Sequence, residues 1–225
     1  MFTEIGKSAR ALLAAALVAL SIPAAAGGPS TYQVTVTNLT HSTNFTPILV
    51  ASHRRPVSIF ELGSPASDEL AAVAEGGNLA PLTAVLEADP QVVDVQNSGG
   101  LLGPGESVTV IVDAARGAQY ISLVSMMVPT NDGFIALDSV RVGKRHAATY
   151  FSPGYDAGSE ANDELCANIP GPTCGGAGPS PIESPLDEGY VHVHRGIHGV
   201  GDLAAATYDW RNPVARISIS RVKGH

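Results

Sequence analysis

Alternation of apolar and polar residues along much of the chain predicts a series of short β-strands. Residues 32–37 show the pattern most simply, because Tyr32, Val34 and Val36 alternate with polar residues, as in a strand with one buried face. Residues 47–52 form a second short apolar run. Further strand-like segments follow at residues 106–113, 119–128, 134–142, 149–151, 190–194 and 214–222. Many short strands separated by Gly and Pro turns are typical of an antiparallel β-sandwich.

Two segments depart from this alternation and predict short helices. Residues 67–75 begin at a capping residue, Ser67 or Asp68, and are followed by two glycines. Residues 82–88 predict one or two further helical turns. We therefore expect an all-β chain, an antiparallel sandwich with one or two short helices. A long loop rich in acidic residues, Gly and Pro is expected over residues 152–189, and loops of this length are commonly functional or disordered.

The N-terminus has the three parts of a secretory signal. Two basic residues within the first ten precede an apolar run over residues 11–22, and Pro23 and three alanines follow it. The run is shorter than the roughly 20 residues that span a bilayer, which favours cleavage over an uncleaved membrane anchor. We predict that residues 1–26 are a signal peptide and that residues 27–225 form a single domain, secreted or periplasmic.

The charge of the chain narrows the classes of partner. The formal net charge is −8, from 13 Lys and Arg against 21 Asp and Glu. An acidic chain without a basic stripe is not expected to bind nucleic acid or an anionic membrane. No stretch after the N-terminal run is apolar enough to span a bilayer, so we expect no membrane insertion of the mature chain. Cation binding fits the charge balance better.

Two cysteines, Cys166 and Cys174, lie close together in the predicted loop. The residues between them are rich in turn formers, and an exported chain meets an oxidising compartment, so a disulfide between them is expected. The alternatives are two free thiols or a metal-binding pair. Their separation is longer than the two-residue spacing of common zinc knuckles.

A group of carboxylates points to a hard cation. Asp132 lies in a predicted turn between two strands, and Asp156 and Glu160 lie four residues apart around Gly158. A loop of this kind can turn both carboxylates toward one centre, and Ca²⁺ takes six to eight oxygen ligands. A bound cation would also remove the repulsion between the carboxylates. The alternative is a solvated acidic loop.

Four motifs of the chain resemble, in the same order, those of one family. Residues 128–140, VPTNDGFIALDSV, resemble a Pro-Ser-x-Asp-Trp turn followed by a Gly-x-Asp-Ser-Leu strand, and residues 155–160, YDAGSE, resemble an Asp-Ala-Gly-Thr-Asp segment. Residues 32–39 and 213–219 are similar to the opening and closing strands. These are the motifs of the spondin N-terminal domain family, to which F-spondin and mindin belong, and the chain resembles a bacterial secreted protein with such a domain.

The resemblance implies a C2-like β-sandwich that binds Ca²⁺ at one end. Carried over by position, the implied ligands are Asp132, Asp156 and Glu160, where Glu160 replaces the Asp of the animal proteins. Gly133 stands where those proteins have Trp, which removes an aromatic from the turn. Asp138 lies about 20 Å further along an extended strand than Asp132, so we expect it to accept backbone hydrogen bonds rather than to bind metal.

Three histidines near the C-terminus form a second candidate site. His192 and His194 share one face of a predicted strand, and His198 follows a predicted turn at Gly196. Three imidazoles can bind Zn²⁺ or Cu²⁺. The alternative is that these rings hydrogen-bond to Asp202, Asp209 or backbone carbonyls and brace the long loop.

The function expected from these features is an exported, calcium-binding adhesion or recognition module that is not an enzyme. Its partner would be a protein or glycan of the cell envelope or extracellular space. No Gly-x-Ser-x-Gly, Walker or dinucleotide-binding motif is present. The alternatives are a transition-metal carrier or metalloenzyme that uses the three histidines, and a structural envelope protein with neither site occupied.

Overall fold

The computed structural model describes residues 28–114, 117–143, 147–178 and 187–224. The predicted signal peptide, residues 1–26, lies outside the described residues. Within them the chain forms two antiparallel sheets, one of four strands and one of seven. The predicted all-β sandwich is confirmed.

The strands in chain order are β1 (Gly28–Asn38), β2 (Asn44–Phe45), β3 (Leu49–His53), β4 (Val92–Asn97), β5 (Ser107–Asp113), β6 (Tyr120–Val128), β7 (Gly133–Arg141), β8 (Ala148–Ser152), β9 (Tyr155–Asp156), β10 (His192–Val193) and β11 (Ala215–Gly224). The helices are α1 (Asp68–Gly76), α2 (Ala80–Ala88), α3 (Gly171–Cys174) and α4 (Ala205–Tyr208), and a 3-10 turn covers Cys166–Asn168. The smaller sheet has the order β5-β1-β11-β8. The larger has the order β10-β9-β7-β6-β3-β4, with β2 paired to β6.

The main core lies between the two sheets. On β1, Tyr32, Val34 and Val36 are fully buried, as their alternation predicts, and Val34 pairs with Ile219 of β11. The larger sheet contributes residues such as Leu123 of β6 to the same cluster. Burying one large aliphatic side chain stabilises a fold by about 1.5–3 kcal/mol, so this layer accounts for much of the stability.

The outer face of the larger sheet is covered by α1 and α2. The Ser67 hydroxyl accepts the N–H of Leu70 to cap α1, and Gly77 ends the helix in the left-handed conformation, as the sequence predicts. The buried side of α1 packs in a second apolar cluster with Val124 of β6 and Phe134 of β7. Since β6 is buried on both faces, its sequence is a nearly continuous apolar run.

Four strands differ from the prediction. β2 is a two-residue strand that precedes the apolar run predicted over residues 47–52. β10 covers two residues of the strand predicted over residues 190–194. β4 is missed by the pattern because it is a half-exposed strand at the edge of the sheet, without strict alternation. β9 is missed because it is two residues long and lies inside the predicted loop. Of the helices, α1 and α2 match the prediction, and α3 and α4 are additional single turns.

Part of the loop predicted over residues 152–189 is folded. It contains β9, the 3-10 turn and α3. Cys166 and Cys174 form the predicted disulfide, with a Cα–Cα distance of 4.7 Å, and both pack against the main core. The disulfide therefore closes a turn within this segment, and both of its cysteines pack against the core of the sandwich.

Candidate metal centre

Two short strand pairings at one edge of the larger sheet build the candidate site. β7 begins at Gly133, directly after Asp132, and Gly133 pairs with Asp156 of β9. Asp156 pairs in turn with His192 of β10. The pairings bring together three segments that are far apart in the sequence, and with them the acidic and histidine groups that the sequence predicts separately.

Asp132 is fully buried, and its two carboxylate oxygens differ in their surroundings. Oδ2 accepts hydrogen bonds from the backbone N–H of Ser159 at 2.8 Å and of Glu160 at 3.1 Å. Oδ1 is buried and has no hydrogen-bond partner among the described residues. A buried polar atom without a partner costs about 1–3 kcal/mol, so Oδ1 is a candidate ligand atom.

Asp156 is also fully buried, and the loop that follows it holds its carboxylate in place. Oδ1 accepts the backbone N–H of Gly158 at 2.9 Å, and Oδ2 accepts the side-chain amide of Asn162 at 2.8 Å. Gly158 has a φ of +66°, and a Cβ there would lie 2.3 Å from the carbonyl oxygen of Tyr190. Only glycine therefore permits this close approach of the loop to the segment before β10.

His192 and His194 both lie beside Asp156. Nε2 of His192 is 3.5 Å from Asp156 Oδ1, and Nε2 of His194 is 3.8 Å from Asp156 Oδ2. Both Nε2 atoms are buried and lack a hydrogen-bond partner among the described residues. The structure thus brings two of the three predicted histidines to one of the predicted acidic residues.

His198 lies elsewhere, beside Glu164. Its side chain is 50% exposed, and its Nδ1 is 3.8 Å from Glu164 Oε1. The buried Glu164 carboxylate accepts the backbone N–H groups of His198, Gly199 and Val200. The contribution of this segment is therefore structural, since three N–H donors anchor it to Glu164.

Glu188 completes a group that the sequence alone does not reveal. Among the described residues, the group of possible metal ligands whose donor atoms all lie within 4.8 Å of one another is Asp156, Glu188 and His192. The side-chain amide of Asn162 lies between the two carboxylates, 2.8 Å from Asp156 Oδ2 and 3.3 Å from Glu188 Oε1. Asp132 lies outside this group of three.

The family model described as Spondin_N matches residues 31–158, more than half of the chain. The chain belongs to the spondin N-terminal domain family. A comparison with curated proteins finds no match. The part matched by the spondin model includes Asp132 and Asp156. It ends before Glu160, Glu188, His192, His194 and His198.

Membership of the spondin family indicates an extracellular adhesion or recognition module, and this family is not one of enzymes. The disulfide agrees with a secreted or extracellular location. In the part of the chain that the structure describes, no helix has the length and apolar character needed to cross a bilayer.

The pKa values of Asp132 and Asp156 in this spondin domain are both raised. Burial raises the pKa of Asp132 well above its usual range, the charges of Asp156 and Glu160 raise it further, and the two backbone N–H donors only partly oppose this. Burial also raises the pKa of Asp156, against the hydrogen bond from Asn162. The ionised pair is therefore costly in the fold, and a nearby cation would offset that cost.

The imidazole of His194 is uncharged at neutral pH. Its burial lowers its pKa to about 4, and the neighbouring His192 acts in the same direction when it is protonated. The backbone N–H of Gly196 donates to Nδ1 at 2.9 Å, so the single proton of the neutral ring is on Nε2, which faces Asp156. The ring of the only tryptophan, Trp210, packs against His194 at 5.0 Å between centroids.

Asp138 has the structural role that the sequence predicts. Its Oδ1 accepts the backbone N–H of Ile59 at 2.9 Å, and its Oδ2 accepts the hydroxyl of Ser58 at 3.2 Å. Burial raises its pKa. It is a partly buried aspartate whose carboxylate is already bound by the protein, which makes it a useful control for the site.

Four polar residues of the site or its support are missed by sequence reasoning: Asn162, Glu164, Glu188 and Glu75. The first three lie in the predicted loop, where no periodicity marks their direction. Glu75 lies on α1, is buried, and hydrogen-bonds to the Ser159 side chain, so the helix contacts the loop that binds Asp132. The one available signal was the polar character of Glu75 near the apolar face of its helix.

Proposed function

We propose that this spondin domain is an exported adhesion or recognition module whose loops at one end of the sandwich are held by Ca²⁺. Asp132, Asp156 and Glu160 would supply carboxylate oxygens to the ion. When bound, the ion neutralises their charge and fixes the loop after β9 to the turn before β7. The partner would be a protein or glycan of the cell envelope or extracellular space.

One observation carries the calcium proposal. Two fully buried carboxylates, Asp132 and Asp156, repel each other, and Oδ1 of Asp132 has no hydrogen-bond partner among the described residues. Oxygen donors of this kind suit Ca²⁺, which accepts irregular coordination. Extracellular modules bind Ca²⁺ with dissociation constants of roughly 0.1–1 mM, so the calcium concentration outside the cell is high enough to occupy such a site.

The stability of the metal-free protein tests this part of the proposal. Adding about 10 mM Ca²⁺ to chelator-treated protein should raise Tm by roughly 3–10 °C, because binding to the native state alone stabilises it by mass action. Asp156→Asn should remove most of this shift. Asp138→Asn, the matched control with a carboxylate already bound by the protein, should keep it. A wild-type Tm that is unchanged by both chelator and added Ca²⁺ would contradict calcium binding.

The recognition role needs a separate measurement. Beads coated with the mature domain should be retained on immobilised envelope preparations in Ca²⁺ and released by chelator, and beads coated with Asp156→Asn should be retained less. Retention that is equal for coated and bare beads would contradict the adhesion proposal. The outcome of the melting experiment would stand independently of this result.

A further inference from the structure

The hydrogen bond made by His192 determines which of its ring nitrogens can bind a metal. Nδ1 lies 3.0 Å from the carbonyl oxygen of Val193, which can only accept, so Nδ1 carries the proton of the neutral ring. The lone pair is then on Nε2. A ligating histidine commonly donates its other N–H to a backbone carbonyl in this way.

The lone pair of His192 faces another lone pair. Nε2 is buried, has no hydrogen-bond partner among the described residues, and lies 3.5 Å from Asp156 Oδ1. Two acceptors at this distance repel each other unless a proton or a metal cation lies between them. Two ligands at about 2.1 Å from a tetrahedral ion are about 3.4 Å apart, close to the distance observed.

His194 is not a second nitrogen ligand. Its Nδ1 already accepts the N–H of Gly196, and its Nε2 therefore carries a proton that points to Asp156 Oδ2. It is buried against Trp210, with Nε2 3.8 Å from Asp156 Oδ2. His198 is separate, beside Glu164. The three histidines of the candidate site therefore do not converge on one point in the structure.

We propose that Nε2 of His192 and the carboxylates of Asp156 and Glu188 form a second metal site, which binds a borderline dication of the Zn²⁺ class. The three donor atoms lie within 4.8 Å of one another. One imidazole nitrogen with two carboxylate oxygens matches Zn²⁺, whereas Ca²⁺ takes oxygen ligands. The site shares Asp156 with the proposed calcium site but does not depend on calcium binding.

Asn162 and Arg195 surround the two carboxylates of this second site. The Asn162 amide donates to both Asp156 and Glu188, which holds them side by side. The exposed Arg195 lies 3.9 Å from Glu188 Oε1 and balances part of the negative charge. Glu188 is half-buried and Asp156 fully buried, so a bound ion would lie at the surface end of the carboxylate cluster.

Titration of the tag-free, metal-free mature protein with Zn²⁺ tests the inference. Calorimetry should show one bound ion per chain, and Co²⁺ should give the visible absorption of a four-coordinate site. His192→Gln should weaken Zn²⁺ binding by more than about 100-fold, because even residues behind the ligands contribute about 10–100-fold. His198→Gln is the matched control, because His198 lies beside Glu164 and outside the proposed ligand set. It should leave Zn²⁺ binding unchanged.

The variants also separate this inference from the calcium proposal. Asp132→Asn should lose the Ca²⁺-dependent rise in Tm and keep Zn²⁺ binding, and His192→Gln should do the reverse, which also proves that it is folded. Absence of Zn²⁺ binding to the wild type at millimolar concentration would overturn the inference. So would full Zn²⁺ affinity in His192→Gln, or equal losses in His192→Gln and His198→Gln.

Discussion

His192 lies directly opposite Asp156 in the pairing of β9 with β10, and its Nε2 is 3.5 Å from Asp156 Oδ1. This contact joins an acidic loop and a histidine segment that the sequence presents as two separate sites. Asp156 is therefore the residue on which both proposed cations depend, and variants at its neighbours separate their effects.

Asp132→Asn should stabilise the metal-free protein and abolish its response to calcium. The pKa of the Asp132 carboxyl is raised by burial and by the charge of Asp156, so its ionised form destabilises the fold and the neutral asparagine removes that cost. We expect the free energy of unfolding in chelator at neutral pH to rise by an amount on the order of 1–3 kcal/mol. In saturating Ca²⁺ the wild type should become the more stable protein. Urea denaturation of both proteins with and without Ca²⁺ measures this reversal, and a variant that is the less stable protein in chelator contradicts it.

His53→Gln should flatten the pH dependence of stability. His53 is fully buried, donates from Nδ1 to the carbonyl of Arg55 and accepts the Ser122 hydroxyl at Nε2. Burial lowers its pKa, so below about pH 6.5 the unfolded chain takes up a proton that the folded chain does not. The stabilising effect of the neutral ring is complete above that pH and is lost as the pH falls toward the lower folded pKa.

Urea midpoints at several pH values between 7.5 and about 5 measure this effect. One such histidine contributes a slope of at most about 1.4 kcal/mol per pH unit. The slope should diminish rather than vanish in His53→Gln, because His194 is also held neutral, with a pKa of about 4. An unchanged slope would show that folding does not lower the pKa of His53.

Gly158→Ala should destabilise the protein far more than Gly99→Ala. Both glycines have positive φ, +66° and +77°, which costs an alanine about 1–2 kcal/mol. A Cβ at Gly99 meets nothing within 4 Å, whereas one at Gly158 meets the backbone of Tyr190. We expect a total loss of roughly 2–5 kcal/mol at Gly158, measured by denaturant unfolding. Equal losses at the two positions would show that the loop moves freely away from Tyr190.

Removing the disulfide should lower stability without removing the metal site. The bond between Cys166 and Cys174 closes a short loop, with a sequence separation of 8, so the double Cys→Ser variant should lose about 2–3 kcal/mol. Reductant should destabilise the wild type by a similar amount and leave the double variant unaffected. The calcium response should persist, because Asp132, Asp156 and Glu160 lie outside the closed loop. Loss of that response in a folded variant would contradict this assignment.

The strands of the main core were predictable because each has one buried face. Alternation marks Tyr32, Val34 and Val36 of β1, and the cap at Ser67 and the glycine at position 77 mark the ends of α1. The two-residue strand β9 was not predictable, since two residues contain no period, and β10 covers only two residues of the strand predicted over residues 190–194. Both strands form by pairing with a neighbour: β9 pairs with the edge of β7 through Asp156, and β10 pairs with β9 through His192.

The sequence by itself determined the sandwich, the disulfide partners, and the residue types able to bind a cation, because alternation, cysteine count and side-chain chemistry are local properties. Only the tertiary structure decided which of those residues meet. It places His192 and Glu188 beside Asp156, keeps His198 with Glu164, and leaves Asp132 Oδ1 without a partner among the described residues. The physical reason is that strand pairing and backbone hydrogen bonds in an aperiodic loop set the direction of each side chain, and no sequence pattern records them.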